Sequence, residues 1–194
     1  MPTIKITDAT VEPLTLAQAK DHLRETLDDA GNDALIASLI TVARQAAEDR
    51  LQRTLLQTTW EHTRSAFPVG GAPIALPMPR IMAVASVQYR DPAGALQTLP
   101  PSAYQLAPGA EPGQLWPTPG TVWPSTQAQH PAAVVVRYTA GYGTQAADVP
   151  APIVQWIKLA LTDLYQRRAR SSDKPAVPHQ FADALLDVHR VLEV

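Results

Sequence analysis

The chain has 194 residues, a formal net charge of −2 and no cysteine. A chain of this length can bury about 70% of its unfolded surface, so it needs no disulfide or metal to fold. The missing thiols exclude cysteine catalysis and cysteine-rich metal sites and favour an intracellular protein. The near-neutral charge provides no strong field toward nucleic acid or membrane, and the chain starts without a signal-peptide pattern. We expect a soluble, non-secreted protein of one domain or two small ones, without a membrane span.

Prolines and charges are separated along the sequence. Residues 66–150 contain fourteen of the nineteen prolines but only six of the 34 charged residues. Proline is tolerated at turns and sheet edges but breaks helix interiors. This pattern predicts an α+β, mainly α fold: a small bundle of two N-terminal and one or two C-terminal helices with a proline-rich β-sheet insertion. We expect one subunit over residues 1–194, made of an N-terminal helical pair, a β-rich insertion, a core C-terminal helix, and a linker with a terminal docking helix, at residues 9–56, 57–145, 148–170 and 171–194.

Two helices are predicted at the start of the chain. Thr15 with Gln18 three residues later fits a capping box, and apolar residues follow at helical spacing, which predicts a helix over 15–28 with Gly31 as its C-cap. A longer helix over 32–53 carries one apolar stripe, formed by Leu35, Ile36, Leu39, Ile40, Ala43, Ala47 and Leu51. Two amphipathic helices joined by a short turn should pack as an antiparallel pair.

The middle of the chain is predicted to form short strands. Thr and aromatic residues from Gln57 onward favour a strand, and Asp91-Pro92-Ala93-Gly94 is typical of a tight hairpin turn. The most β-prone segment is centred on Val135. Further strands are predicted at residues 74–76, 84–90, 95–99, 104–107, 114–116 and 132–139.

Two helices are predicted at the end, over residues 152–169 and 180–193. Pro152 suits the first helical turn, and the helix that follows is apolar on more than one face, Trp156 included, as is usual in a bundle core or between subunits. Beyond a polar, proline-containing linker, the terminal helix can fold back onto its own core or dock on another subunit, and we expect docking.

No catalytic constellation is visible in the sequence. The metalloprotease, nucleophile-elbow, P-loop and dinucleotide motifs are absent, and the five histidines are far apart in sequence. We expect no catalytic residue, no cofactor and no metal. The densest charge feature is a basic cluster, which could contact phosphate or an acidic partner, or could complement a helix C-terminus, at Arg167, Arg168, Arg170 and Lys174.

An ordered set of short motifs resembles the tailed-bacteriophage head–tail connector (adaptor, or head-completion) family. It opens with Glu12-Pro13-Leu14-Thr15-Leu16-Ala17-Gln18-Ala19-Lys20 and covers about residues 9–168. Further matches follow in order: Asp33-Ala34-Leu35-Ile36, Gln57-Thr58-Thr59-Trp60, Ile74-Ala75-Leu76-Pro77, residues 84–91, Gly94, Tyr104, Trp123-Pro124, residues 134–143 and Val149-Pro150-Ala151-Pro152-Ile153.

The resemblance implies a structural protein without catalytic residues. It would form a cyclic ring of its own copies, typically twelve, beneath the portal protein at the capsid vertex. The ring would join the DNA-filled head to a tail-side connector or stopper protein and let DNA pass without sequence-specific binding. Such a protein belongs to the virion at the head–tail junction, and to the host cytoplasm before assembly; no membrane is involved.

The surface that meets other subunits or the portal is expected near the C-terminus. The candidate interface residues are Trp156, Arg167, Arg168, Arg170, Phe181, Leu185, Val188 and Leu192. An alternative is a phage DNA-binding protein that uses the cluster from Arg167 to Lys174, and a third is an enzyme with an unrecognised site.

Overall fold

The computed structural model describes residues 2–27, 30–166 and 180–191, and this part of the chain contains eight strands and four α-helices. The helices are α1 (Leu16–Leu23), α2 (Asp33–Leu51), α3 (Ala151–Gln166) and α4 (Gln180–Asp187). The strands are β1 (Thr3–Thr7), β2 (Thr58–Arg64), β3 (Ile74–Leu76), β4 (Ile81–Arg90), β5 (Leu96–Leu99), β6 (Tyr104–Leu106), β7 (Gly113–Pro117) and β8 (Val134–Ala140).

The chain divides into two compact units. The strand unit comprises residues 1–9 and 57–142, and the helical unit comprises residues 10–56 and 143–194. No helix in the described ranges combines the length and the hydropathy that crossing a bilayer requires.

Helix α1 begins as its sequence predicts and ends earlier. Thr15 Oγ1 accepts a hydrogen bond from the Gln18 N–H at 3.2 Å, and Gln18 Oε1 accepts one from the Thr15 N–H at 3.0 Å, which completes the capping box. The prediction that the helix reaches residue 28 with Gly31 as C-cap is wrong. Arg24 adopts a left-handed conformation (φ 60°) and its N–H bonds to the Asp21 carbonyl. The buried Lys20 ammonium holds the next turn by bonding to Leu27 O and Asp33 Oδ1.

Helix α2 fully buries five of the seven residues of the predicted stripe, whereas Leu35 and Leu39 are half-buried; the five are Ile36, Ile40, Ala43, Ala47 and Leu51. It ends at Leu51, two residues before the predicted end, because Gln52 is left-handed (φ 51°) and its N–H bonds back to Glu48 O. Its buried face also contains a charged residue, Arg44.

Helix α3 starts at Ala151, so Pro152 lies in the first turn, where the missing N–H has no intrahelical partner to lose. It buries one broad face made of Ile153, Trp156, Ile157, Leu161 and Tyr165. Helices α1, α2 and α4 all pack against it. The predicted continuation to residue 169 lies outside the described residues.

The strand unit contains two antiparallel sheets. One has the order β1-β2-β8-β4-β5, and the other has the order β3-β7-β6. Strand β8 is central in the larger sheet and alternates strictly, with Val134, Val136, Tyr138 and Ala140 buried. These side chains pack with residues of the smaller sheet and of the loops, namely Phe67, Ile74, Leu76, Leu115 and Trp123.

The prediction of a mainly helical small bundle is wrong. Eight strands in two antiparallel sheets, with their own hydrophobic core, are a principal part of the fold. The sequence-based expectation missed β1, which adds an edge strand to the larger sheet, and it overestimated α1 and α4, which have eight residues each. The prolines punctuate the strands; they do not reduce the middle of the chain to a minor insertion.

Candidate assembly surfaces

In the helical unit, Trp156 lies where three helices meet. Its indole Nε1 donates to Asp183 Oδ1 on α4 at 3.3 Å, and the Arg50 guanidinium of α2 lies 5.3 Å from the ring centroid. Arg50 and Asp183 also form an ion pair. Trp156, expected at an interface with another subunit, is therefore buried within its own chain.

Helix α4 folds back onto α2 and α3. Ala182 and Leu186 are buried, and Leu185 is half-buried. Beyond the helix, the Val191 N–H donates to Leu51 O at 3.1 Å, and Arg53 Nε donates to His189 O at 2.9 Å. The residue expected at an interface that the structure does leave open is Val188, 88% exposed directly after the helix.

Other predicted interface residues lie outside what is described. Arg167, Arg168, Arg170 and Leu192 fall outside the described residues, as does Lys174 of the basic cluster. For Phe181 the structure describes the helical backbone only. The structure therefore neither brings this cluster together nor separates it.

A cavity of about 360 Å³ borders α4 in the helical unit. Its lining mixes three carboxylates and two guanidiniums with two uncharged residues: Asp49, Asp183, Asp187, Arg50, Arg190, Gln52 and Leu186. Charges of both signs line this surface, so it suits a polar protein segment better than a single anion or cation. Within the described part of the chain, no three or more His, Asp or Glu side chains are grouped so that they could hold a metal ion.

A second cavity, of about 350 Å³, lies in the strand unit. The Arg80 guanidinium at its rim stacks over the Tyr142 ring at 4.2 Å and lies 3.8 Å from Glu111 Oε1. The arginine is thus engaged by two side chains of its own unit, and nothing in the lining gathers several ionisable groups for catalysis.

The strand unit presents apolar side chains on adjacent loops. Val69 is 90% exposed, and a Cβ placed on Gly71 would lie 4.0 Å from Val122 Cγ1, so the loop of Val69 and the loop of Val122 are neighbours. Both loops are anchored by Trp123, whose indole N–H donates to Ala72 O at 2.8 Å. Its ring stacks on Phe67 with a centroid distance of 5.0 Å. The exposed Val69 and Val122 therefore lie on loops that Trp123 holds in place.

Two buried side chains of the strand unit, His62 and Tyr138, have shifted pKa values. Burial, with help from the nearby Arg64, lowers the pKa of His62 to about 4. Its Nδ1 lies 2.8 Å from Thr3 Oγ1, across the β1–β2 pair. Burial also raises the pKa of Tyr138, whose hydroxyl donates to Pro77 O at 2.7 Å. The first of these contacts joins β1 to β2, and the second joins β8 to the residue that follows β3.

Sequence reasoning missed strand β1, and it predicted a strand at residues 95–99 without placing that strand at an edge of the sheet. Strand β1 exposes Ile4 and Ile6, and β5 exposes Leu96. The signal was present in the first case, because Thr3-Ile4-Lys5-Ile6-Thr7 alternates with the two-residue period of a strand. Strand β5 carries neither lysine nor proline, so nothing in its sequence marks it as an edge strand.

No family model matches the sequence, and no curated protein matches it at a significant level. Solved structures do share the fold. A chain in the neck of an empty gene transfer agent (GTA) particle, computed with C6 symmetry, is 23% identical with a TM-score of 0.81. A chain in the virion of a native GTA particle is 23% identical with a TM-score of 0.80, and one in the neck of a native GTA particle, computed with C12 symmetry, is 21% identical with a TM-score of 0.75. Each match covers 100% of this chain and 97% of the other. At these identities the likeness shows a common fold.

Proposed function

We propose that this chain is a structural subunit of the neck of a phage-like particle, where it acts as an adaptor that joins the head to the tail. The observation that carries the proposal is the fold shared over the full chain with chains from GTA necks. The ordered motifs of the connector resemblance support it independently, because they were found in the sequence alone. The protein would act by binding, with no reaction and no cofactor.

The adaptor would form a closed ring of identical copies, twelve by analogy with the C12 neck. In such a ring each copy shows two different faces to its neighbours, and closure limits growth. The head-side partner would be the portal protein and the tail-side partner a stopper protein, with DNA passing through without sequence-specific contacts. Exposed apolar side chains such as Val69, Val122 and Val188 would be covered in the assembly.

Removal of the gene from its source genome tests the head-joining role. If the chain connects the two parts of the particle, electron microscopy of a deletion strain should show separate DNA-filled heads and tails. A plasmid copy of the wild-type gene should restore whole particles. Whole particles in the deletion strain would overturn the proposal.

The C-terminal segment is proposed to contact the portal or an adjacent subunit. Helix α4 is already bound within its own chain through Ala182 and Leu186, so the contact would use the outer side of the helix together with Val188, which directly follows it. Deleting residues 175–194 should leave a folded core that no longer joins the portal, but the same deletion uncovers Trp156.

A point variant separates these two effects. Val188→Asp should keep the fold, because the side chain is exposed, and should reduce co-purification with the portal protein at least tenfold. Val42→Asp places the same charge on an exposed valine of α2 and is the matched control. Equal portal binding by wild type and both variants would contradict a contact at Val188.

A further inference from the structure

The larger sheet of the strand unit has two open edges that run in the same direction. Within the described residues, β1 is paired only with β2, and β5 only with β4. All four pairings in the order β1-β2-β8-β4-β5 are antiparallel. Direction therefore alternates across five strands, and the first and fifth strands are parallel. A rotation that brings one copy beside the next can place the β1 edge against the β5 edge without inverting either copy.

The backbone at both edges is oriented for further pairing. The Thr63 N–H donates to Pro2 O, so in the alternating antiparallel ladder the N–H and C=O groups of Thr3 and Lys5 point away from β2. At the other edge the Asp91 N–H donates to Ala95 O, so the corresponding groups of Leu96 and Thr98 point away from β4. Each edge thus offers a short row of outward donors and acceptors.

Exposed apolar side chains at the two edges share one face of the sheet. Ile4 lies opposite Glu61, which lies opposite Arg137. Val135, two residues from Arg137, lies opposite Gln88, and Gln88 lies opposite Thr98, two residues from Leu96. Because alternate residues of a strand share a face, Ile4 (50% exposed) and Leu96 (58% exposed) stand on the same outer face.

We propose that β1 of one copy pairs in parallel with β5 of the next, so that the sheet continues from subunit to subunit around the ring. The occupant of each edge is a second copy of this chain, since one molecule carries both complementary edges and joining them brings Ile4 beside Leu96. This proposal rests on the proposed ring-forming function, which it deepens by naming the contact.

The alternative is that these edges are protected against pairing with any other chain, because edge strands often carry a lysine or a bulge that prevents such pairing. Here the Lys5 ammonium bonds to Asp8 Oδ1 at 3.2 Å and lies 5.6 Å from the Trp60 ring, on the inner face. The register irregularity of β1 falls between Lys5 and Thr7, which leaves Thr3–Lys5 regularly paired. Strand β5 has no charged residue and no proline. Neither edge is closed by its own residues.

Thiol cross-linking tests the contact, and the absence of native cysteine makes it specific. The full-length double variant Ile4→Cys with Leu96→Cys, treated with a short bifunctional maleimide with and without portal protein, should give a ladder from dimer up to the complete ring. Each single variant should give no more than dimers. The mismatched pair Val69→Cys with Leu96→Cys is the control. A double variant that gives no more product than the single variants and the control would overturn the proposal.

A backbone variant gives a second test. Thr98→Pro removes one outward N–H from an edge strand, where proline is tolerated, and should abolish assembly while circular dichroism stays unchanged. Thr98→Val keeps the N–H and should assemble like wild type. Assembly by a folded Thr98→Pro protein would overturn the proposal, and if that variant does not fold the cross-linking result decides.

Native mass spectrometry of the wild-type protein under the same conditions distinguishes failure of the edge pairing from failure of the proposed ring function. Wild-type rings without a cross-linked ladder from the double variant would overturn the edge pairing and leave the proposed ring function standing. Neither rings nor a ladder, with or without portal, would overturn both.

Discussion

Arg44 shows how a charged side chain can be part of a helix core. Its Nε donates to Glu12 Oε2 at 2.8 Å and an Nη group to Glu48 Oε2 at 2.9 Å. The remaining carboxylate oxygens are also used: Glu12 Oε1 accepts from the Thr41 hydroxyl, and Glu48 Oε1 accepts from the Leu55 N–H. Arg44 thereby fixes the segments before and after α2 to that helix.

We predict that Arg44→Met lowers the free energy of unfolding by about 3–5 kcal/mol, because it leaves two carboxylates without their buried cation. Chemical denaturation of the full chain measures this. Arg50→Met on the same helix is the control, since the Arg50–Asp183 pair is solvent-exposed and should contribute about 1 kcal/mol. Equal losses for the two variants would contradict the role assigned to Arg44.

His62 makes the strand unit sensitive to acid. The folded state holds it neutral, with a pKa of about 4, whereas the unfolded chain takes up a proton near pH 6.5. Between these values the unfolded state binds more protons, so stability present above pH 6.5 is lost as pH falls toward 4, by about 3 kcal/mol in total.

We therefore predict that His62→Gln flattens the fall of unfolding free energy between pH 7 and pH 4.5, since glutamine keeps a hydrogen-bond partner for Thr3 and does not titrate. Urea unfolding at several pH values in that range measures the slope. Carboxylates titrate alike in both proteins, so the difference isolates His62. Parallel slopes would contradict the account.

At the scale of elements, what could be predicted from sequence was local. The Thr15–Gln18 capping box, the Asp91–Gly94 turn and the strand predicted at residues 132–139 each depend on neighbours within a few residues, and all are present. The end of α1 could not be predicted, because it depends on Lys20 reaching Leu27 and Asp33. Burial of Trp156 by α4 depends on contacts between residues 27 positions apart.

Helix α4 is too short to be stable alone and depends on its packing face. We predict that Leu186→Ala releases it from α2 and α3, so that Trp156 becomes solvent-exposed and tryptophan emission shifts to longer wavelength. Faster hydrogen exchange in residues 180–191 should accompany the shift. Val188→Ala removes apolar atoms from an exposed position and is the matched control. An unchanged spectrum for Leu186→Ala would show that α4 is held in another way.

For the whole molecule, the proline-rich, charge-poor middle of the sequence led to a prediction that underestimated the sheets. The missing information was long-range: β1 joins β2 across more than fifty residues, and β8 lies between β2 and β4, which are far from it in the chain. The candidate interface residues could not be predicted for the same reason. Trp156 lies in a helix that is apolar on more than one face, as at subunit interfaces, but its partner is Asp183 of the same chain. Exposure of Val188, Ile4 and Leu96 follows from tertiary packing alone.

The central claim is that this chain is a ring-forming subunit of a particle neck. Native mass spectrometry of the full-length protein, alone and mixed with the portal protein of the same particle, tests it most directly. The account predicts closed assemblies containing a whole number of 20.9 kDa copies, twelve on the portal, and no open-ended series of larger oligomers. A protein that stays monomeric in both samples, at concentrations where the portal is assembled, would contradict it.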